Sequence, residues 1–318
     1  MPYSNRPYRF FILTAVLTLL VSGVMAESQS GSAASDTMGT LVTTEWLSRH
    51  LNDPGLVVLD CSVLMAPDSA GGLRAVSGRG SYEGSHIPTA GFADLLGDLC
   101  DTGSTLGFAL PTAQQFCAAM GALGVGDDSR VVLYDSFNSV WAARVWWMLR
   151  WVGFDHAALL DGGLKAWTDE GRQLSAEPAA HPAGKLTPMT RPSLIADRDE
   201  VFASLGDDAV MLVDAMPAPH FRGEMAMYGR PGHIPGACNV PATALIEESG
   251  RYRPHDELAG MFPGNRETRA ITYCGAGVAA SSDAFIMTRL GFRDVAVYMG
   301  SLQEWSADPA NPLVVEKH

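Results

Sequence analysis

The stretch RAITYCGAGVAASSDAFIMTRLGF (269–292) decides how this chain is read. A short apolar run at 270–273 has the length and bounds of a buried strand and ends on Cys274. A loop of small residues follows, and then a helix-like pattern over 281–290. The same order of run, loop and helix occurs earlier, as RVVLYDSFNSVWAARVWWMLRWVGF (130–154). Three more pairs match: GLVVLDCSV (55–63) with AVMLVDAMP (209–217), GSHIPTAGF (84–92) with PGHIPGACNV (231–240), and LLDGGLKAW (159–167) with VYMGSLQEW (297–305). All keep one order and similar spacing, which is the mark of an internal duplication. Apolar runs at 56–59, 131–134, 210–213 and 271–273 predict buried parallel strands, and 113–123 and 281–290 predict helices. Alternation of this kind predicts an α/β fold, each half a parallel sheet with helices on both faces.

A length of 318 residues suits two domains. The expected division is 41–174 and 193–318, joined by the Ala/Pro-rich linker SAEPAAHPAGKLTPMTRP (175–192). A net charge of -13 argues against nucleic acid as a partner. Arg6 and Arg9, the apolar stretch 10–24 and the small residues ending at Ala26 read as a signal peptide over 1–26, followed by a flexible tether over 27–40. Export to the periplasm or outside the cell, with no membrane attachment after cleavage, is the expectation. Five cysteines, Cys61, Cys100, Cys117, Cys238 and Cys274, then leave at least one thiol unpaired. Trp141, Trp146, Trp147 and Trp151 have helical spacing and are read as core or interface packing.

Cys274 sits at the carboxyl end of its strand, where open α/β sheets bind ligands. Gly275, Ala276, Gly277, Val278 and Ala279 leave room for backbone N–H groups to converge on one point, with Ser281 and Ser282 as helix caps. Such a cradle stabilises an anion, either a thiolate or a persulfide. Cysteine phosphatases use Cys-x5-Arg, and counted from Cys274 the arginine position is Ala280, so phosphate is disfavoured. His86 and His233, in the two HIP segments, could serve a cysteine hydrolase but read better as structural.

Taken together, GSHIPTAGFADL, VVLYDSFNSVWAARVWWMLRWVGF with LLDGGLKAW, FRG, PGHIPGACNVP and YCGAGVAAS resemble the tandem rhodanese family from about Leu41 to Leu313. The resemblance implies two rhodanese-like domains, the second catalytic and the first lacking the thiol, and Asp135 does stand at the repeat position of Cys274. It implies a sulfurtransferase: Cys274 takes sulfane sulfur from 3-mercaptopyruvate or thiosulfate, holds it as persulfide, and passes it to a thiol or cyanide. A persulfide carrier with little turnover is the alternative. The partners implied are small molecules, no metal or organic cofactor is implied, and a monomer is the default.

The uncharged loop is closer to members that use 3-mercaptopyruvate than to those that use thiosulfate, whose loops are basic. Three positions depart from the family: Ala276 replaces a serine, His220 stands where an arginine grips the donor carboxylate, and Arg230 is a shifted counterpart of a second arginine. Arg230 is therefore assigned to the anionic donor, helped by His220 or Arg222.

Overall fold

The computed structural model describes residues 37–68, 72–179 and 181–316. The leader read over 1–26 and most of the tether read over 27–40 lie outside them. The first half carries strands β1 (Leu41–Val42), β2 (Leu56–Asp60), β3 (Val63–Pro67), β4 (Leu73–Ser77), β5 (Gly91–Phe92), β6 (Arg130–Tyr134) and β7 (Ala157–Leu160). The second carries β8 (Ile195–Ala196), β9 (Val210–Asp214), β10 (Cys238–Asn239), β11 (Arg269–Tyr273) and β12 (Val295–Tyr298). Helices α1 (Thr44–His50), α2 (Arg79–Gly84), α3 (Ala113–Ala122), α4 (Val140–Trp151) and α5 (Gly163–Asp169) belong to the first half. To the second belong α6 (Arg198–Ala203), α7 (Ala218–Phe221), α8 (His255–Met261), α9 (Ala279–Arg289) and α10 (Ser301–Trp305).

Each half is a five-stranded parallel sheet flanked by helices. The strand orders are β1-β7-β6-β2-β5 and β10-β9-β11-β12-β8, the same topology read from opposite edges. A separate antiparallel hairpin, β3 with β4, is confined to the first half. Successive side chains of a strand point to opposite faces. In the first sheet Val57, Leu59, Val131 and Leu133 therefore enter one core, while Leu56, Val58 and Val132 enter another.

The duplication extends to buried hydrogen bonds. The Tyr134 hydroxyl accepts from Ile87 N (3.2 Å) and the Tyr273 hydroxyl from Ile234 N (3.0 Å). Trp167 and Trp305 each donate an indole N–H to a carbonyl just beyond their helix, Gln173 O and Pro312 O. His86 and His233 are buried, stacked on Tyr82 and Phe221, and bonded through Nδ1 to the carbonyls of those residues, as structural histidines should be. All five cysteines are free thiols.

The two halves share one core through α4 and α9. Trp146 meets Phe285 edge-on at 4.8 Å, and the Trp147 indole donates to Leu194 O (3.0 Å). The tryptophan cluster is thus packing, with Trp146 and Trp147 almost wholly buried. The linker is bound along the first half. His181 Nε2 pairs with Thr89 O (2.8 Å), Thr187 N donates to Asp127 (2.7 Å), and Met189 N donates to Val152 O (2.8 Å).

Candidate active site

The central strand β11 delivers Cys274 to the carboxyl edge of the second sheet, between β9 and β12. The cysteine is 2% exposed. Burial pushes its thiol up, the N–H groups of Ala280, Ala276 and Gly277 pull it down, and the Asp214 carboxylate adds to the upward push. The loop is held from outside. Ser301 Oγ accepts from Cys274 N (3.1 Å), Leu302 N donates to Cys274 O (3.0 Å), and Gln303 N donates to Gly275 O (2.9 Å). With these loop carbonyls turned to α10, amides on the inner side of the loop face the sulfur, as an anion nest requires.

Gly277 has φ +73°, a conformation that favours glycine. A Cβ there would sit 2.9 Å from both Met299 O and Arg144 Nη1. The cap assignment of Ser281 and Ser282 is corrected: α9 begins earlier, at Ala279, with Val278 at the N-cap and no side-chain cap. Ser281 is already inside the first turns, so its Oγ donates back to Gly277 O (2.8 Å).

The other residues read as donor-binding are placed as follows. Arg230 Nε donates to Ser306 O (3.0 Å), and its Nη2 donates to Asp308 O (2.7 Å) and Asn311 O (2.9 Å), which leaves Nη1 as the part able to meet an anion. Arg222 is engaged by Glu224 at 2.6 Å. His220 lies in the last turn of α7, and its Nδ1 is buried with no hydrogen-bond partner among the described residues.

Besides Ser301, two residues at the site escape sequence reasoning. Tyr228 lies against the loop, its ring 2.7 Å from where a Gly275 Cβ would be. Burial, then the neighbouring Cys274, pushes its phenol up to about 12. Arg144, from α4 of the other half, donates through Nη1 to Gly277 O (3.2 Å), touches Met299 Sδ, and donates through Nη2 to Phe108 O (2.7 Å). Its signal was a lone charge within the apolar run VWAARVWWM.

In the first half, Asp135 stands where Cys274 stands in the second. Its Oδ1 accepts from Phe137 N (2.7 Å) and Ser139 N (3.0 Å), and its Oδ2 from Trp141 N and Ala142 N (both 2.9 Å). That nest is filled by the protein's own carboxyl group.

Tandem α/β halves, one nest holding a thiol and the other a carboxylate, define a rhodanese architecture. The rhodanese-like domain model matches residues 43–170 and 197–308, and the chain belongs to this family. It is 36% identical over 282 residues to a Pseudomonas aeruginosa protein named "Probable 3-mercaptopyruvate sulfurtransferase", covering 86% of this chain and 97% of that one. It is 33% identical over 276 residues to the thiosulfate sulfurtransferase of Gallus gallus, covering 83% and 92%. The solved structure of a 3-mercaptopyruvate sulfotransferase from Escherichia coli matches with a TM-score of 0.74 at 31% identity, covering 83% of this chain and 99% of that one.

Proposed function

We propose that Cys274 is the sulfur-carrying nucleophile of this sulfurtransferase. The observation that carries the assignment is its sulfur, buried under the N–H groups of Ala276, Gly277 and Ala280. The thiolate attacks the sulfane sulfur of the donor. A Cys274–sulfur bond forms as the donor's bond to that sulfur breaks, and the donor's electron pair leaves as the enolate of pyruvate or as sulfite. With 3-mercaptopyruvate the proton of the transferred thiol passes to the enolate to give pyruvate, and with either donor the outer sulfur then carries the negative charge that the loop amides stabilise. A thiolate or cyanide then attacks this sulfur and releases Cys274 as thiolate. The donor is a small anion of the 3-mercaptopyruvate or thiosulfate type, and the absence of a cation within 274–279 favours the first.

The test is intact mass after incubation with each donor. Wild type gains one sulfur and Cys274→Ser gains none; no gain with either donor sinks the assignment. Export is proposed from the leader at 1–26, and mass spectrometry of the protein purified from its own cells should find cleavage after Ala26. A full-length N-terminus would refute it. A monomer is proposed, because the two halves already bury their shared face within one chain, and a dimer mass in size-exclusion light scattering would overturn that.

A further inference from the structure

We infer that Arg144, supplied by the half that lacks the thiol, is a positioning residue and the buried counter-ion for the anionic sulfur on Cys274. The inference rests on the reading of Cys274 as the sulfur carrier. Arg144 is 1% exposed. A buried guanidinium needs a compensating anion, because an uncompensated buried charge is costly. Among the described residues no carboxylate pairs with it. Its bonds go to Gly277 O, Phe108 O and Met299 Sδ. Burial pushes its guanidinium down to about 10 in spite of two thiols that support the charge, Cys274 first and Cys100 second.

The placement is one-sided. Counted back from Phe154 and Phe292, the α9 position corresponding to Arg144 is Ser282, which has no charge to send toward the first nest. The first nest needs none, since four amides already hold Asp135. The cation goes only to the half whose anion comes and goes with the reaction. Arg144 also holds the loop through the carbonyl of Gly277, the residue whose own N–H, on the preceding peptide, faces the sulfur. The ionisable groups facing Cys274 are Asp214 from β9, Tyr228 from the arch over Gly275, and Arg144 from α4. Around Arg144 they are Cys274 and Cys100, and Cys100 is in turn flanked by Asp94 and Asp101.

Two substitutions separate charge from bridging. Arg144→Gln and Arg144→Lys both lose the two-carbonyl bridge, but only lysine keeps the charge. The readout is the pH profile of Cys274 alkylation by iodoacetamide, located by peptide mass, which needs no sulfur transfer. In Arg144→Gln the profile should move at least one unit alkaline, so that the rate at pH 8 falls about tenfold. Arg144→Lys should stay within about threefold of wild type. A folded Arg144→Gln with an unchanged profile overturns the inference. If Arg144→Gln does not fold, Arg144→Lys decides alone: a rate within about threefold supports a counter-ion, and a fall of tenfold or more assigns a purely bridging role and overturns it. Sulfur loading of wild type, measured in parallel, reports separately on Cys274 as the carrier.

Discussion

Asp135 and Cys274 end the central strands of the two sheets, β6 and β11, and each presents its side chain to the amides of the loop that follows. One nest is occupied by the Asp135 carboxyl group. The other is closed around the Cys274 sulfur, the group proposed above to carry the transferred sulfur. The two halves thus share a framework and differ in the group that each nest holds.

The Asp135 nest has a pH signature. Burial pushes the Asp135 carboxyl up to about 7 from an ordinary value of 3.8, against the downward pull of its amide partners. A carboxyl raised in the fold binds its proton more tightly there than in the unfolded chain. Its contribution is therefore full below about pH 4 and declines as pH rises toward 7. Asp135→Asn cannot titrate, and it turns an NH2 group toward two of the amides. Urea unfolding should find it less stable than wild type by about 1–3 kcal/mol. The gap should be wider at pH 5 than at pH 7.5, and a gap that does not change with pH would contradict the assignment.

The two loop glycines should respond differently. Gly277→Ala forces a side chain into a left-handed conformation and against the backbone at Met299 O. It should cost at least about 1–2 kcal/mol in thermal melts and lower turnover tenfold or more. Gly275→Ala meets only the Tyr228 ring, which can swing away. It should melt close to wild type while opening Cys274 to bulky maleimides. Equal melting losses for the two variants would refute the contrast.

Arg230 anchors the arch that carries Tyr228 to the C-terminal segment through three carbonyls. Arg230→Ala should lose about 1–3 kcal/mol of stability as well as raise the KM for the donor. A rise in KM with no change in melting would assign it to the donor alone. His220→Arg supplies a second cation at a position whose Nδ1 has no partner. It should lower the KM for 3-mercaptopyruvate, and an unchanged KM in steady-state assays would remove His220 from the donor site.

Trp146 and Phe285 join the halves edge to face. Trp146→Ala leaves a cavity in the shared core and should cost about 3–5 kcal/mol in denaturant unfolding. A second transition should also emerge as the halves uncouple. A single transition with a loss below about 1 kcal/mol would show that the interface is held elsewhere.

Much of this was legible in the chain itself. Apolar runs of strand length, the four repeated segments and the glycine-rich loop after Cys274 are local properties, and they specify tandem α/β halves and a thiol at a sheet edge. The two HIP histidines and the tryptophan spacing also read correctly as structure, because burial follows from pattern. The helix start did not: Ser281 and Ser282 look like caps by residue type, yet the chain enters α9 two residues earlier, since the loop amides are committed to the sulfur rather than to a capping side chain. Arg144, Tyr228 and Ser301 could not be placed by spacing either. Each reaches the nest across a long stretch of sequence, and one comes from the other half. Local pattern determined where the Cys274 sulfur stands and what kind of loop surrounds it. Only tertiary packing decided which distant charge, ring and hydroxyl close around that sulfur, because electrostatic contact depends on distance in space and not on separation along the chain.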